Sequence, residues 1–233
     1  MTPVVHLVGA GPGDPLLLTR RAARLLAVAD VVVIDRPSLD HLFALAPPHA
    51  ERIHVGRTPD AEAWTTDAIA DLLAARALAG LSVVRLKGGD PFVCSRGPEE
   101  AEALAARGVR CEVTPGVTAA TAAPLAAGAP RGATVTIASG DDDPIGPGVA
   151  WPDLADPAAS LVVLTGRAHQ GPIARDLVAG GLPASTPAWV VHSAGRPGTK
   201  TRATTLADLG TTRLPPPATV VIGPASGGAH AHP

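Results

Sequence analysis

Tyrosine is absent from the 233 residues, and with Phe 2 and Trp 3 the aromatic share is only 2%. Chemistry that needs a tyrosine acid is excluded, and so is a platform of rings on which several nucleic-acid bases would stack. Charge of one sign is also lacking: 19 Lys+Arg stand against 21 Asp+Glu, a formal net charge of -2, so no global field holds a polyanion such as DNA. Cysteine is limited to Cys94 and Cys111. They form no CxxC and their spacing matches no metal-ligand pattern, so no metal site is expected and a reducing compartment fits the chain best. No run of about 18 apolar residues escapes interruption, which argues against a membrane span. The opening MTPVVHLVGAGPGDP carries no basic region and passes straight into a strand-like run; no signal peptide is expected, and the protein is placed in the cytoplasm.

What is present is a globular composition, 46% hydrophobic and 17% charged, with many turns implied by Gly 25 and Pro 25. Short β-branched runs alternate with Ala- and Leu-rich helical runs, the pattern of a mostly parallel α/β sheet. Strands are expected at 4–8, Val31–Ile34, 52–55, 82–86 and 111–113, with helices at 15–29, Pro37–Leu45, 65–79 and 98–107. Thr114-Pro115-Gly116 is a strong break. After it come a small-residue helix at 117–127, strands at 134–138, 160–165, 188–192 and Ala218–Ile222, a helix at 173–180 and an extended piece at 202–205. The reading is two α/β domains, 1–115 and 116–226, with residues 227–233 as a disordered tail.

Two glycine loops follow strands. Gly9-Ala10-Gly11-Pro12-Gly13-Asp14 stands where a dinucleotide fingerprint would, but its spacing is wrong, Pro12 removes a backbone donor and Asp14 adds negative charge. Lys87-Gly88-Gly89-Asp90-Pro91-Phe92-Val93 lies after the strand at 82–86. Both loops fall at the carboxyl edge of a parallel sheet, where ligands bind. Their glycines, carbonyls and carboxylates suit a ligand with hydroxyls, an amine or a positive centre, such as S-adenosylmethionine. Alternatively both are plain structural turns in which the Asp caps the helix that follows.

The segments VHLVGAGPGDPLLLT (5–19), VVVIDRPS (31–38), VVRLKGGDPFVCSRGPEEAEAL (83–104), VTPGVTAATAAPLAAGAP (113–130) and RPGTKTRATTLADL (196–209) occur in order along nearly the whole chain, and the chain thereby resembles the uroporphyrinogen-III C-methyltransferases. The resemblance implies the tetrapyrrole methylase fold: two α/β domains with a cofactor cleft between them, assembled as a homodimer; from charge and hydropathy, neither nucleic acid nor membrane is expected as a partner. It implies S-adenosylmethionine as methyl donor and a tetrapyrrole substrate methylated at two ring carbons, giving precorrin-2 for siroheme or cobalamin. Carried over by position, the cofactor contacts are Pro12, Gly88, Gly89, Asp90, Val93, Thr118 and Ala119, with Thr165 and Ala194 where the family has its methionine and its NGT turn. By the same resemblance Asp35 is the proton-accepting carboxylate. Arg57 stands at the family's catalytic lysine; a guanidinium hardly deprotonates, so Arg57 is read as orienting a carboxylate. Arg36 and Arg57 are the first choices for binding substrate carboxylates.

Differences from the family pattern at Arg57, Cys94-Ser95, Asp141 and Thr165 leave two alternatives: the same fold acting on a later corrin precursor or a non-tetrapyrrole acceptor, or a non-catalytic S-adenosylmethionine-binding regulator. Cys94 reads as a small packing residue, and His6 as a satisfied core histidine.

Overall fold

A computed structural model describes residues 2–56, 64–128, 133–140, 148–164 and 169–224. The chain divides into two compact units, Met1–Thr118 and Ala119–Pro233, a few residues past the Pro115-Gly116 break. Among the expected residues, Arg57, Asp141, Thr165 and the tail 227–233 lie outside the described ones.

In the first unit, β1 (Val4–Gly9), α1 (Arg20–Leu26), β2 (Val31–Ile34), β3 (Glu51–His54), α2 (Thr66–Leu78), β4 (Val83–Lys87), α3 (Gly97–Ala106) and β5 (Arg110–Thr114) succeed one another. The strands form one sheet in the order β3-β2-β4-β1-β5, and every pairing is parallel. Because a parallel sheet is covered on both faces, its central strands must be apolar throughout. Val31, Val32, Val33 and Ile34 of β2 are all fully buried. Alternation sorts their side chains: Val32 and Ile34 of β2 join Val84 and Leu86 of β4 under α1, whereas Val31, Val33 and Val83 pack with Ile69, Leu73 and Leu104 of α2 and α3.

The helix expected at 15–29 is two pieces. Asp14 accepts the Leu16 N–H and starts a 3-10 turn at Pro15–Leu17; Leu18 is extended; Thr19 Oγ1 then caps α1 through the Ala22 N–H. Thr19 is thus a new helix start, between Leu16–Leu18 and the Arg20-Arg21 pair that opens α1. The segment Pro37–Leu45 is helical as expected, but in 3-10 form: Leu39 N–H donates to Arg36 and Ala46 N–H to Phe43, each three residues back.

The second unit holds α4 (Ala119–Ala127), β6 (Thr134–Ser139), β7 (Ala159–Leu164), α5 (Gln170–Ala179), β8 (Pro187–His192), β9 (Lys200–Thr205), α6 (Leu206–Leu209) and β10 (Ala218–Ile222). Its sheet runs β6-β7-β10-β8-β9, parallel between β6 and β7 and antiparallel elsewhere. Leu161, Val163, Val190, Val220 and Ile222 of this sheet pack against Ile173 and Leu177 of α5 and Leu206 and Leu209 of α6.

Candidate active site

The two glycine loops leave adjacent strands. β1 and β4 lie side by side, and from their carboxyl ends the chain departs to opposite faces, into α1 after β1 and into α3 after β4. That divergence opens a crevice at the sheet edge, the usual ligand position of doubly wound sheets. The loops are joined backbone to backbone: Gly11 N–H donates to Gly89 O at 3.1 Å, and Gly89 N–H to Gly11 O at 2.7 Å. Gly116, after β5, completes the junction. A Cβ on Gly116 would lie 2.2 Å from Gly89 O and 2.8 Å from Gly9 Cα, so only bare backbone fits there.

Few amide protons remain for a ligand. Ala10 N–H is spent on Lys87 O, those of Leu16, Phe92 and Gly116 go to the carboxylates of Asp14 and Asp90, and Pro12 has none. With Pro12 and Pro91 lacking an N–H and the carboxylates of Asp14 and Asp90 on the loops, such a rim is a poor phosphate cradle. Its carbonyls and carboxylates instead fit a ligand carrying hydroxyl, amine and sulfonium groups, the donor set of S-adenosylmethionine. Asp14 is a cap, and Asp90 spends Oδ1 on Phe92 N–H (2.8 Å) and Oδ2 on Gly116 N–H (3.1 Å). His41, on the 3-10 helix, holds Gly13 O through Nε2.

Beside this junction, Asp35 follows β2 and continues the Val31, Val33 alternation toward α2 and α3. It caps no helix; the 3-10 helix after it, Pro37–Leu45, has Arg36 at its N-cap and no side-chain cap. Its Oδ2 instead accepts Arg85 Nη2 at 3.2 Å. Arg85, 1% exposed, donates Nε and Nη2 to Glu100 of α3 at 3.0 and 3.2 Å, and Lys87 Nζ donates to the same Glu100. Two buried cations and two carboxylates therefore neutralise one another. Removing one member of such a set costs about 3–5 kcal/mol. Burial pushes the Asp35 carboxyl up, but Arg85, then Lys87 and Arg36, outweigh it and hold it below the usual carboxylate range. Burial, and then Arg85, push the Lys87 ammonium down.

α3 is placed to supply Glu100. A Cβ on Gly97 would lie 2.1 Å from Pro91 O, so the helix starts in contact with the second glycine loop, and Glu100 and Leu104 share its inner face. Arg36 is exposed and its stem lies along Gly88, where a Cβ would meet Arg36 Cδ at 3.4 Å.

Asp35, Arg36, Gly88, Gly89 and Asp90 are thus gathered at one edge of the first sheet, with Pro12 and Val93 on the same loops and Thr118 Cα 3.8 Å from a Cβ on Gly89. Ala119 opens α4, and Ala194, buried, follows Ser193 at φ 51 after β8; both belong to the second unit. Arg85, Lys87 and Glu100 are the residues that sequence reading missed. Their signal was present: in a strand buried on both faces, Arg85 and Lys87 share the side of Val83, and a charge there must be paired. Cys94, expected as packing, is exposed, at φ 46. His6, expected as a satisfied core histidine, makes no hydrogen bond through Nδ1 among the described residues, but that atom lies 3.6 Å from Glu112 Oε2. A 240 Å³ cavity in the second unit has Asp156 as its one ionisable lining residue and touches no expected site residue.

Residues 4–210 match the tetrapyrrole (corrin/porphyrin) methylase family. A uroporphyrinogen-III C-methyltransferase of Paracoccus denitrificans is 41% identical over 228 residues, covering 94% of this chain and 79% of that protein. A siroheme synthase of Pseudoalteromonas atlantica is also 41% identical, but this chain spans only 49% of it. Among solved structures, the uroporphyrin-III C-methyltransferase of Thermus thermophilus complexed with S-adenyl homocysteine superposes with a TM-score of 0.80 at 37% identity, covering 94% of this chain and 91% of that one.

Proposed function

The chain belongs to the tetrapyrrole (corrin/porphyrin) methylases, and on that premise we propose that it methylates uroporphyrinogen III from S-adenosylmethionine, at two ring carbons, to give precorrin-2. The observation that carries this reading is the glycine junction of Gly11 and Gly89 at the sheet edge, bearing the carboxylates of Asp14 and Asp90 and lying beside Asp35, a setting that suits a sulfonium nucleoside better than a phosphate. When bound, the donor supplies a methyl group on positive sulfur. A nucleophilic pyrrole carbon forms the new C–C bond as the C–S bond breaks, the bonding pair leaving on sulfur. The substrate then carries the positive charge until a proton departs.

The chain's own residues do the rest. The glycine junction fixes the donor at the sheet edge, so that near-attack distance supplies most of the catalysis. Asp35, kept ionised by Arg85, faces the developing cation and takes the proton. Arg36, stretched over Gly88, pairs with a substrate carboxylate. In this reading the enzyme works as a cytoplasmic homodimer; its cysteines are free thiols, in keeping with a reducing compartment. Labelled methyl from S-adenosylmethionine appearing in uroporphyrinogen III, under anaerobic conditions, tests it; label retained wholly on the donor refutes it.

A further inference from the structure

Asp35 has no polar anchor of its own along β2. Its only hydrogen bond among the described residues runs to Arg85, on the neighbouring strand; Oδ1 is enclosed and without a partner among them. Arg85 in turn makes three further hydrogen bonds, two to Glu100 and one to Leu86 O. A side chain held at so many points and almost fully buried has one available geometry. Its fork is planar, so fixing Nε and Nη2 on Glu100 also fixes the direction in which Nη2 reaches Asp35.

From this geometry we infer that Arg85 is a positioning residue for Asp35, and that Glu100, from α3, governs how much of the arginine's charge Asp35 feels. The inference rests on the reading of Asp35 as proton acceptor. Glu100 shares Arg85 with Asp35 and draws on Lys87 as well, so the cationic pull on Asp35 is divided. An undivided pull would make Asp35 too weak a base; no pull would let burial protonate it before substrate arrives. Among the described residues, the charged groups around Asp35 are few. β4 presents Arg85 and Lys87, α3 presents Glu100 behind them, and Arg36 follows in the chain. After β3 the chain brings Gly56 against the Asp35 carbonyl, while His54 of β3 pairs with Asp40 of the 3-10 helix.

The test is an NMR titration of 13C-aspartate carboxyls in the whole protein, the Asp35 signal being the one lost in Asp35→Asn, alongside the pH profile of kcat/KM. Arg85→Gln is expected to move the Asp35 midpoint and the acid limb of the profile to higher pH. Glu100→Gln is expected to move both to lower pH. A merely structural role would lower the rate without such opposed shifts. Should Arg85→Gln not fold, Lys87→Met, which removes the other buried cation, carries the upward shift. Midpoints that stay fixed, or that move the same way when a cation and an anion are removed, overturn the inference. The titration needs no turnover, so it decides the role of Arg85 even where the acceptor is another molecule. An Asp35→Asn enzyme with full activity overturns Asp35 as base, and with it the positioning role, while leaving the family assignment intact.

Discussion

Asp90 Oδ2 accepts the Gly116 N–H at 3.1 Å, tying the second glycine loop to the turn that ends β5. The same carboxylate holds Phe92 N–H, so one side chain sets the shape of the loop from both ends. Asp90→Ala strips both acceptors and leaves two amides to find water. At about 0.5–1.5 kcal/mol for each hydrogen bond lost, affinity for S-adenosylhomocysteine is expected to fall roughly tenfold. Calorimetry reads this directly, and an unchanged dissociation constant removes the loop from the site.

The Gly9–Gly116 contact makes a steric prediction. A Cβ on Gly9 would stand 2.4 Å from Gly116 N and 2.8 Å from Gly89 O, all of it backbone that cannot swing aside. Gly9→Ala and Gly116→Ala are expected to separate the strand end from the glycine junction, lowering the melting temperature and abolishing cofactor binding. Gly148→Ala, with nothing within 4 Å of its Cβ, is the control and is expected to be neutral or slightly stabilising. Equal melting temperatures for all three variants would contradict the packing described.

Much of this was legible in the sequence. The alternation of β-branched and Ala-rich runs gave the parallel sheet, because a strand covered on both faces needs an unbroken apolar run such as Val31–Ile34. The break at Pro115-Gly116 falls close to where the chain divides, and Gly116 itself passes without a side chain against Gly9. The helix start at Thr19 was hidden because Leu16–Leu18 before it and the Ala- and Leu-rich segment after it read as one continuous helix. The Arg85–Glu100 pair was legible only by half: charges in so apolar a strand call for a partner, but the partner could not be named. Glu100 becomes that partner only once α3 is laid over β4.

The two thiols are expected to differ. Burial, with Glu100 nearby, pushes the Cys111 thiol up to about 11, so it stays protonated and inert at neutral pH. Cys94 is exposed on the loop before α3. Native protein is expected to react with one equivalent of a thiol reagent at pH 8, the modified peptide carrying Cys94, and with a second only after unfolding. Rapid labelling of Cys111 in the native protein would contradict its placement.

Asp35→Asn is expected to leave cofactor affinity intact and to reduce methyl transfer by about 100-fold or more, the usual weight of a positioned base. It also carries a stability signature. Arg85 holds the folded-state carboxyl below its unfolded value, so the wild-type pair stabilises fully above the ordinary Asp range, and that contribution is lost as pH falls through the lowered folded pKa. Wild type and Asp35→Asn should therefore differ in melting temperature at pH 7 and converge in acid. A gap that widens on acidification would reverse the assignment.

Counting methyl groups tests the central claim most directly. Purified protein is incubated without oxygen with S-adenosylmethionine and freshly generated uroporphyrinogen III, and the tetrapyrrole is weighed by mass spectrometry beside an Asp35→Asn control. Two added methyl groups with the native chain, and little or none with the variant, are what the arrangement of Asp35 beside the glycine junction predicts. An unmodified tetrapyrrole from a chain that binds S-adenosylhomocysteine would contradict it.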